Sequence, residues 1–500
     1  MTARCIRHTV VTACGISLAA VISGCASIGS EEPAGRTFTL QVDPIEQTSV
    51  KADLGLALSG GGIRSALFNA GLLKWLYDEK VLDHVNIISS VSGGSYAAYW
   101  LYMDHHRNTN VARFGFNSLD QQQFGRSICK IITTGNFVSY PAMLRAAIDP
   151  FMTFPELYEG QLKRTFGQSD STGNWNITDF ASDMTGGSTA PYWVINATFV
   201  EPYAKSGWAE GLMEFTPLQK GNNAYGYSRW SQGQQLSVVK AVAISGAAAR
   251  VFLNQRIPNL IDGVTQQTIK LSDGGHSENL GAVALIRRGV KTVIVGDAEH
   301  DSDYTFGAYT NLKSRLNAWN LVLTIPELDE YLSNHPAGGS ARHGLYKGVV
   351  TDKTGNKKTD IFYLKMSRPA VVEAIVKQDL HSMPGASVSE KYFTQLRNTT
   401  GAATSENPNG VWDCNHALPV TREEMSDWFK YSMASQYQSA QRSWRLRLTR
   451  SLNMPGIYSD FPMHSTGDQS YYLDQSMGYV GLGYIEAEFL RPYIDQLRRQ

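Results

Sequence analysis

The chain has 500 residues, which is more than one small domain needs and suits a large domain with additional segments. Its 45 basic residues balance 45 acidic ones, so charge gives no reason to expect a nucleic acid or another strongly anionic partner. The apolar fraction of 42% is ordinary and provides for a sizeable core. We therefore expect a globular protein that does not bind nucleic acid.

The start of the chain has the pattern of a secretory signal. Arg4, Arg7 and His8 precede a largely apolar run over 10–22 that is too short to span a bilayer comfortably. The run leads into the sequence ISGC, which ends at Cys25 and resembles the lipobox of bacterial lipoproteins. In that motif the cysteine becomes the new N-terminus and carries acyl chains. The alternative is a plain signal peptide followed by a chance cysteine.

Lipidation at Cys25 would anchor the protein to a membrane. Residues 1–24 would leave as the signal peptide, and the polar, proline-containing residues 25–50 would form a tether to the fold. By analogy with lipoproteins, Ala26 instead of aspartate after the cysteine favours the outer membrane over the inner one. We predict a lipoprotein of the bacterial cell envelope, held at the outer membrane and facing the periplasm or the cell surface.

The cysteines and histidines form no metal-binding pattern. Neither CxxC nor HExxH occurs, and the adjacent His105 and His106 would point to different faces of a helix. Cys129 and Cys414 are the cysteines left after processing, and in an exported protein they either pair or stay buried as free thiols. We expect no metal and no cofactor.

From residue 51 onward, apolar runs of strand length alternate with segments of helical period. This alternation predicts a parallel sheet with crossover helices. The predicted strands are 54–58, 85–91, 192–200, 268–271 and 292–295, and the predicted helices are 66–77, 96–103 and 238–249.

The last part of the chain has a different pattern. Residues 344–366 resemble a β-hairpin, and Thr421 and Glu424 have the spacing of a capping box before a long helix. We therefore divide the chain into an α/β core over 51–300 and an α+β extension over 301–500 that packs on it.

A glycine turn joins the first predicted strand to the first predicted helix. The turn contains Gly60, Gly61 and Gly62. Free N–H groups and the helix dipole make such a turn an anion site. A nucleotide phosphate fits poorly, because GxxxxGK[ST] is absent and GxGxxG would need a glycine where Ser65 stands. The alternative is a turn that merely requires glycine backbone angles.

One serine of the stretch SSVSGGSYA stands where the second predicted strand turns into a helix. Ser92 lies at the strand end and fits the nucleophile-elbow pattern GxSxG, with Ser90 in place of the first glycine. Ser95 fits only a poorer frame, because it would lie in the first helical turn beside the bulky Tyr96. We therefore predict that Ser92 is a nucleophile for acyl transfer, with the amides of Gly61, Gly62 and Ile63 as oxyanion donors.

A base for Ser92 is present in the stretch LSDGGHSENLG. Asp273 stands at the end of a short predicted strand, and the two glycines after it leave space around its carboxylate. His276 is the rival base. It follows Asp273 by only three residues, which is too close for the usual arrangement of a Ser–Asp–His triad.

Two basic features are candidates for contact with lipid. Arg64, at the start of the helix after the glycine turn, would fix the turn, meet a headgroup phosphate or form a structural salt bridge. The segment 442–450 interleaves cations with apolar residues. It would lie on anionic lipid or form a solvated helix face.

Three blocks resemble the patatin-like phospholipases: GGGIR, VSGGS and DGG, in the order found in that family. They cover the core from about 54 to 297. The resemblance implies a three-layer patatin-like α/β fold with a mainly parallel central sheet, and a Ser–Asp dyad without a catalytic histidine. Carried over by position, the nucleophile would be Ser92, the base Asp273 and the oxyanion hole Gly60, Gly61 and Gly62.

The same resemblance implies a lipid acyl-ester hydrolase of the phospholipase A or lysophospholipase type, acting on phospholipid or another acyl-ester lipid. The alternative is a surface lipoprotein that uses this fold to bind lipid or a partner without turnover. A non-catalytic descendant would be expected to have lost Ser92, Asp273 or the glycine turn, and the chain keeps all of them. The sequence therefore favours the enzyme.

Overall fold

A computed structural model describes most of the predicted core and parts of the extension. The segment 1–48 with Cys25, and the residues Cys414 and 442–450, lie outside the described residues, so the lipoprotein predictions stay predictions. The described residues are 49–107, 120–133, 154–167, 175–185, 190–200, 211–222, 226–231, 235–247, 255–258, 268–336, 338–339, 344–367, 420–422, 424–425, 428–429, 461–463, 466, 471 and 473–499.

The described residues form strands and helices that alternate over much of the core. The strands are β1 (Leu54–Leu58), β2 (Ile87–Val91), β3 (Tyr192–Val200), β4 (Gly211–Phe215), β5 (Gln219–Asn222), β6 (Gly226–Arg229), β7 (Gln255–Pro258), β8 (Thr268–Asp273), β9 (Thr292–Asp297), β10 (Leu321–Thr324), β11 (Leu345–Asp352) and β12 (Lys357–Lys365). The α-helices are α1 (Gly62–Asp78), α2 (Gly93–Arg107), α3 (Asp120–Thr133), α4 (Phe154–Thr165), α5 (Ala181–Met184), α6 (Val238–Ser245), α7 (Ala282–Arg287), α8 (Gly307–Ala318), α9 (Pro326–Asn334), α10 (Leu473–Ala487) and α11 (Ile494–Arg498). Within the ranges given above, no helix has both the length and the apolar composition to cross a membrane.

The strands join into one mixed sheet whose centre is parallel. Its order is β10-β11-β12-β9-β1-β2-β3-β4-β5-β6, and β8 pairs with both β3 and β7. The strands from β12 to β3 in this order are parallel, while antiparallel strands extend both edges. β1 and β9 are buried at every position, which requires cover on both faces of the sheet. The predicted α/β fold with a mainly parallel central sheet is confirmed.

The predicted elements agree with the structure, apart from their ends. β1 and β3 have the predicted bounds. α1 begins at Gly62, four residues before the predicted start, because the end of the glycine turn forms the first turn of the helix. β8 continues past the predicted end of its strand to Asp273, so the candidate base is the last residue of the strand.

Residues after 300 extend the sheet of the core. The predicted hairpin is present as β11 and β12, and β12 lies parallel to β9. α10, near the end of the chain, packs on α1 so closely that the backbones touch. A Cβ atom added at Gly71 of α1 would overlap the Val480 carbonyl, and one added at Gly483 of α10 would overlap the Phe68 carbonyl. Glycines therefore determine how the last helix seats against the helix that begins in the glycine turn.

Two local predictions for the rest of the chain have clear outcomes. The capping box is present, since the Thr421 N–H donates to Glu424 Oε2 at 2.6 Å and the Glu424 N–H donates to Thr421 Oγ1 at 3.3 Å. Cys129, on α3, is buried and disulfide-bonded, and its partner lies outside the described residues. Cys129 is therefore not a free thiol.

Candidate active site

The glycine turn between β1 and α1 adopts backbone angles that favour glycine. Gly61 has φ +142° and Gly62 has φ +64°. The Gly60 N–H already donates to the Asn279 carbonyl at 2.8 Å, so in this conformation it is not free to meet an oxyanion. In the described part of the chain the N–H groups of Gly61 and Gly62 donate no hydrogen bond. In this conformation the candidate donors of the turn are therefore the N–H groups of Gly61 and Gly62, while the Gly60 N–H, also predicted as a donor, is bonded to Asn279.

Ser92 stands in a tight strand-to-helix turn between β2 and α2. Its φ of +49° is rare for a residue other than glycine. A Cβ atom at Gly93 would overlap the Gly62 carbonyl, and one at Gly94 would overlap the Leu58 carbonyl. The small residues after the serine thus let this turn lie directly against the glycine turn, as the elbow pattern predicts.

Two strands meet end to end beside β3 and bring Ser92 to Asp273. Val91, the last residue of β2, pairs with Asn196, while Asp273, the last residue of β8, pairs with the next residue, Ala197. β4 occupies the other side of β3, so β2 and β8 share one flank and run towards each other. At their meeting point the Ser92 Oγ donates to Asp273 Oδ2 at 2.9 Å.

The Asp273 carboxylate is held in a protected position. Its second oxygen, Oδ1, accepts the Gly275 N–H at 2.7 Å, and both Asp273 and Ser92 are only 5% exposed. Successive strand residues point to opposite faces, and His276 Nδ1 lies 3.0 Å from the Oγ of Ser272, the neighbour of Asp273. The carboxylate beside Ser92 is therefore Asp273, and the rival base His276 is bonded elsewhere.

Two tyrosines that sequence reasoning did not select lie beside this pair. The hydroxyl groups of Tyr96, on α2, and Tyr158, on α4, are hydrogen-bonded to each other. Burial raises the pKa of both phenols well above its ordinary value, and the charge of Asp273 raises it further. Both phenols therefore stay protonated. Tyr96 follows Ser92 by four residues, which is the helical spacing that could have indicated it.

Arg64 is buried and bonded to other segments of the protein. Its side chain is 0% exposed, its Nε donates to the Ala298 carbonyl at 3.1 Å, and its Nη2 donates to Thr466 Oγ1 at 3.1 Å. The Ala298 N–H in turn donates to Ser59 Oγ at 2.8 Å. These contacts tie the glycine turn to the end of β9 and to the extension, which favours a role in fixing the turn.

A cluster of buried charged side chains lies at the carboxyl ends of β9 and β12, next to the glycine turn. The Lys365 Nζ lies 2.9 Å from Asp297 Oδ2, 3.2 Å from Asp301 Oδ2 and 3.9 Å from Glu299 Oε2. Burial raises the pKa of Glu299 to about 7, with Lys365 acting in the opposite direction. Among the described residues, no group of three or more acidic, histidine or cysteine side chains is placed to hold a metal ion.

The stability of the protein should fall as the pH rises from about 5 to about 8. A carboxyl whose folded pKa is raised keeps a proton that the unfolded chain has already released, and this advantage is lost as the pH passes the folded pKa. The variant Glu299→Gln cannot ionise but can still accept the Ala308 N–H, which lies 2.9 Å from Glu299 Oε2. At about pH 8 we expect it to exceed the parent in free energy of unfolding by on the order of 1 kcal/mol.

Thermal unfolding across this pH range measures the effect. The variant and the parent should agree at about pH 5 and diverge above it. Glu330→Gln removes the same charge from an exposed position on α9 and serves as the control. A constant difference between Glu299→Gln and the parent at every pH would contradict the assignment.

The fold and the site define a class of protein. A parallel sheet that carries a serine on a tight strand-to-helix turn, a carboxylate beside it and a glycine turn against it has the geometry of an α/β protein with a nucleophile-elbow turn. Residues 56–286 match the family model of patatin-like phospholipases, which confirms the resemblance indicated by the three sequence blocks.

One solved structure supports the same fold. Human GIVD cytosolic phospholipase A2 aligns with a TM-score of 0.50 and 12% identity, covering 96% of this chain and 63% of that one. The same human protein in complex with methyl gamma-linolenyl fluorophosphonate and terbium chloride aligns with a TM-score of 0.44 and 13% identity, covering 97% and 63% of the two chains. The present chain thus spans about 63% of the length of these structures. No curated protein gave a sequence match.

Proposed function

We propose that this protein hydrolyses acyl esters of lipids, in the manner of a phospholipase A or lysophospholipase. The observation that carries the proposal is the hydrogen bond of 2.9 Å from the Ser92 Oγ to Asp273 Oδ2. It occurs on a strained turn that lies directly against the backbone of Gly62 in the glycine turn. A nucleophile, a base and oxyanion donors are the groups that acyl transfer requires.

In the proposed first half-reaction, Asp273 accepts the Ser92 proton while Oγ bonds to the ester carbonyl carbon. The carbonyl oxygen becomes negative and is held by the N–H groups of Gly61 and Gly62. The bond from carbon to the leaving alcohol then breaks, and the alcohol takes the proton from Asp273. An acyl group remains on Ser92.

In the second half-reaction water takes the place of the alcohol. Asp273 accepts a proton from water as the water oxygen attacks the acyl carbon, and the same N–H groups hold the negative oxygen. The bond to Ser92 breaks, Oγ recovers its proton from Asp273, and a fatty acid leaves. No cofactor enters this scheme.

The proposed substrate and location rest on the family and on the start of the chain. The family is named for phospholipases, which favours a phospholipid or another acyl-ester lipid as substrate. We further propose that Cys25 carries a lipid anchor that holds the protein at the bacterial outer membrane. The disulfide at Cys129 supports an oxidising compartment, as expected for an exported protein.

A fluorophosphonate, which reacts only with activated serines, tests the proposal directly. We expect the full-length chain in detergent to gain one adduct, located on Ser92 by peptide mapping, and the variant Ser92→Ala to gain none. Labelled protein should also stop releasing fatty acid from phospholipid vesicles. An adduct on Ser95 would mean that the elbow was assigned to the wrong serine, and the absence of any adduct would favour a protein that binds lipid without turnover.

A further inference from the structure

A residue from a distant part of the chain holds the backbone of Ser92. The Ser92 N–H donates to the Oγ of Ser245 at 2.8 Å. Ser245 is the last residue of α6 and is 0% exposed. Its own hydroxyl donates to the Asn196 carbonyl at 2.6 Å, on the strand beside which β2 and β8 meet. One hydroxyl group therefore connects the elbow to the strand that aligns Ser92 with Asp273.

Further hydroxyl groups surround this contact. The Ser95 Oγ lies 2.9 Å from the Ser245 Oγ and 3.0 Å from the Ser90 Oγ, which also accepts the Trp193 Nε1–H at 2.9 Å. Ser90 is the residue that replaces the first glycine of the elbow pattern. Its side chain thus belongs to a buried hydrogen-bonded cluster next to Ser92, and this cluster includes Ser95.

The residue after Ser245 also reaches the site. A Cβ atom at Gly246 would overlap the Tyr96 hydroxyl, and the Gly246 carbonyl accepts the Tyr158 hydroxyl at 3.1 Å. The end of α6 therefore contacts both the backbone of Ser92 and the phenol of Tyr96.

The Ser92 N–H needs this partner for two reasons. A buried donor that loses its acceptor destabilises the conformation that buries it. The left-handed backbone angle of Ser92 is one that a serine does not hold without support from surrounding groups. A change of φ or ψ at Ser92 would swing the Oγ away from Asp273, and misplacement by about 1 Å is enough to lower a rate roughly a hundredfold.

We propose that Ser245 is a positioning residue for the nucleophile: its hydroxyl accepts the Ser92 N–H and keeps the Oγ within hydrogen-bond reach of Asp273. This inference rests on the proposed function, because it concerns the reactivity of Ser92. It assigns Ser245 no contact with substrate, so its loss should slow the chemical step without weakening the binding of lipid.

The variant Ser245→Ala in the full-length chain tests the proposal. We expect the second-order rate constant for fluorophosphonate labelling of Ser92 to fall by about ten- to a hundredfold. For phospholipid hydrolysis kcat should fall by a similar factor while KM stays within about twofold. The matched control is Ser127→Ala, which also removes a buried serine hydroxyl. Ser127 lies on α3, and its Oγ accepts the Trp100 Nε1–H at 2.7 Å. It should label at the parental rate.

Thermal unfolding separates positioning from a general loss of stability. Ser245→Ala should label more slowly than Ser127→Ala even where the two variants unfold at the same temperature. If Ser245→Ala does not fold, Ser245→Cys preserves the packing while it supplies a poor acceptor, and it should also label more slowly. Labelling of either Ser245 variant at the parental rate would overturn this inference and leave the proposed function unaffected. A parent that is not labelled at Ser92 would overturn the proposed function and this inference with it.

Discussion

Replacement of Ser92 by alanine should lower the rate of lipid-ester hydrolysis by more than about a hundredfold. The variant removes the oxygen that would attack the ester, which is the hydroxyl oxygen that donates to Asp273 Oδ2. The side chain is small, so the free energy of unfolding should change little. The measurement is kcat/KM on phospholipid vesicles, with thermal unfolding of the same samples.

Asp273→Asn should cause a loss of comparable size. The amide has the shape of the carboxyl group but cannot accept the proton of Ser92 at neutral pH. His276→Gln is the informative control, because it removes the rival base, which is bonded to Ser272 instead of Ser92. Its activity should stay within severalfold of the parent. Substantial activity in Ser92→Ala or Asp273→Asn, or a hundredfold loss in His276→Gln, would exclude the proposed dyad.

The variant Gly483→Ala should destabilise the protein by about 2 kcal/mol or more. The added methyl group would overlap the Phe68 carbonyl oxygen, and the carbonyl carbon and the Leu72 nitrogen lie 2.8 and 3.2 Å from it. These are backbone atoms, so they cannot rotate away, and overpacking of this kind costs about 3 kcal/mol or more. The higher helix propensity of alanine offsets about 1 kcal/mol. Denaturant unfolding measures the difference.

Gly160→Ala provides the matched control for this contact. Gly160 lies inside α4, and a methyl group there would have no atom within 4 Å. The same substitution should therefore stabilise the protein by up to about 1 kcal/mol. Because α1 begins in the glycine turn, Gly483→Ala should also lower activity by shifting the Gly61 and Gly62 donors. Equal effects of the two substitutions would show that α1 and α10 do not pack as closely as the structure has them.

The sequence by itself determined the elements and the chemistry that each could offer. Strand-length apolar runs, helical periods and glycine turns depend on neighbouring residues, so β1 and β3 were located with their exact bounds. The same local logic selected Ser92 over Ser95, because the elbow is a local turn that needs small residues after it. The match of residues 56–286 to the patatin-like phospholipases agrees with the family that these motifs indicate.

Only the tertiary structure decided which groups meet. The approach of Ser92 to Asp273 depends on β2 and β8 sharing one flank of β3 in a fixed register, and no pattern along either strand reports that register. The use of the Gly60 N–H by Asn279 and the support of Ser92 by Ser245 are likewise contacts between segments far apart in the chain. Such contacts follow from the packing of the whole sheet and its helices. A local sequence pattern therefore indicates a candidate nucleophile, while its partners are determined by the fold.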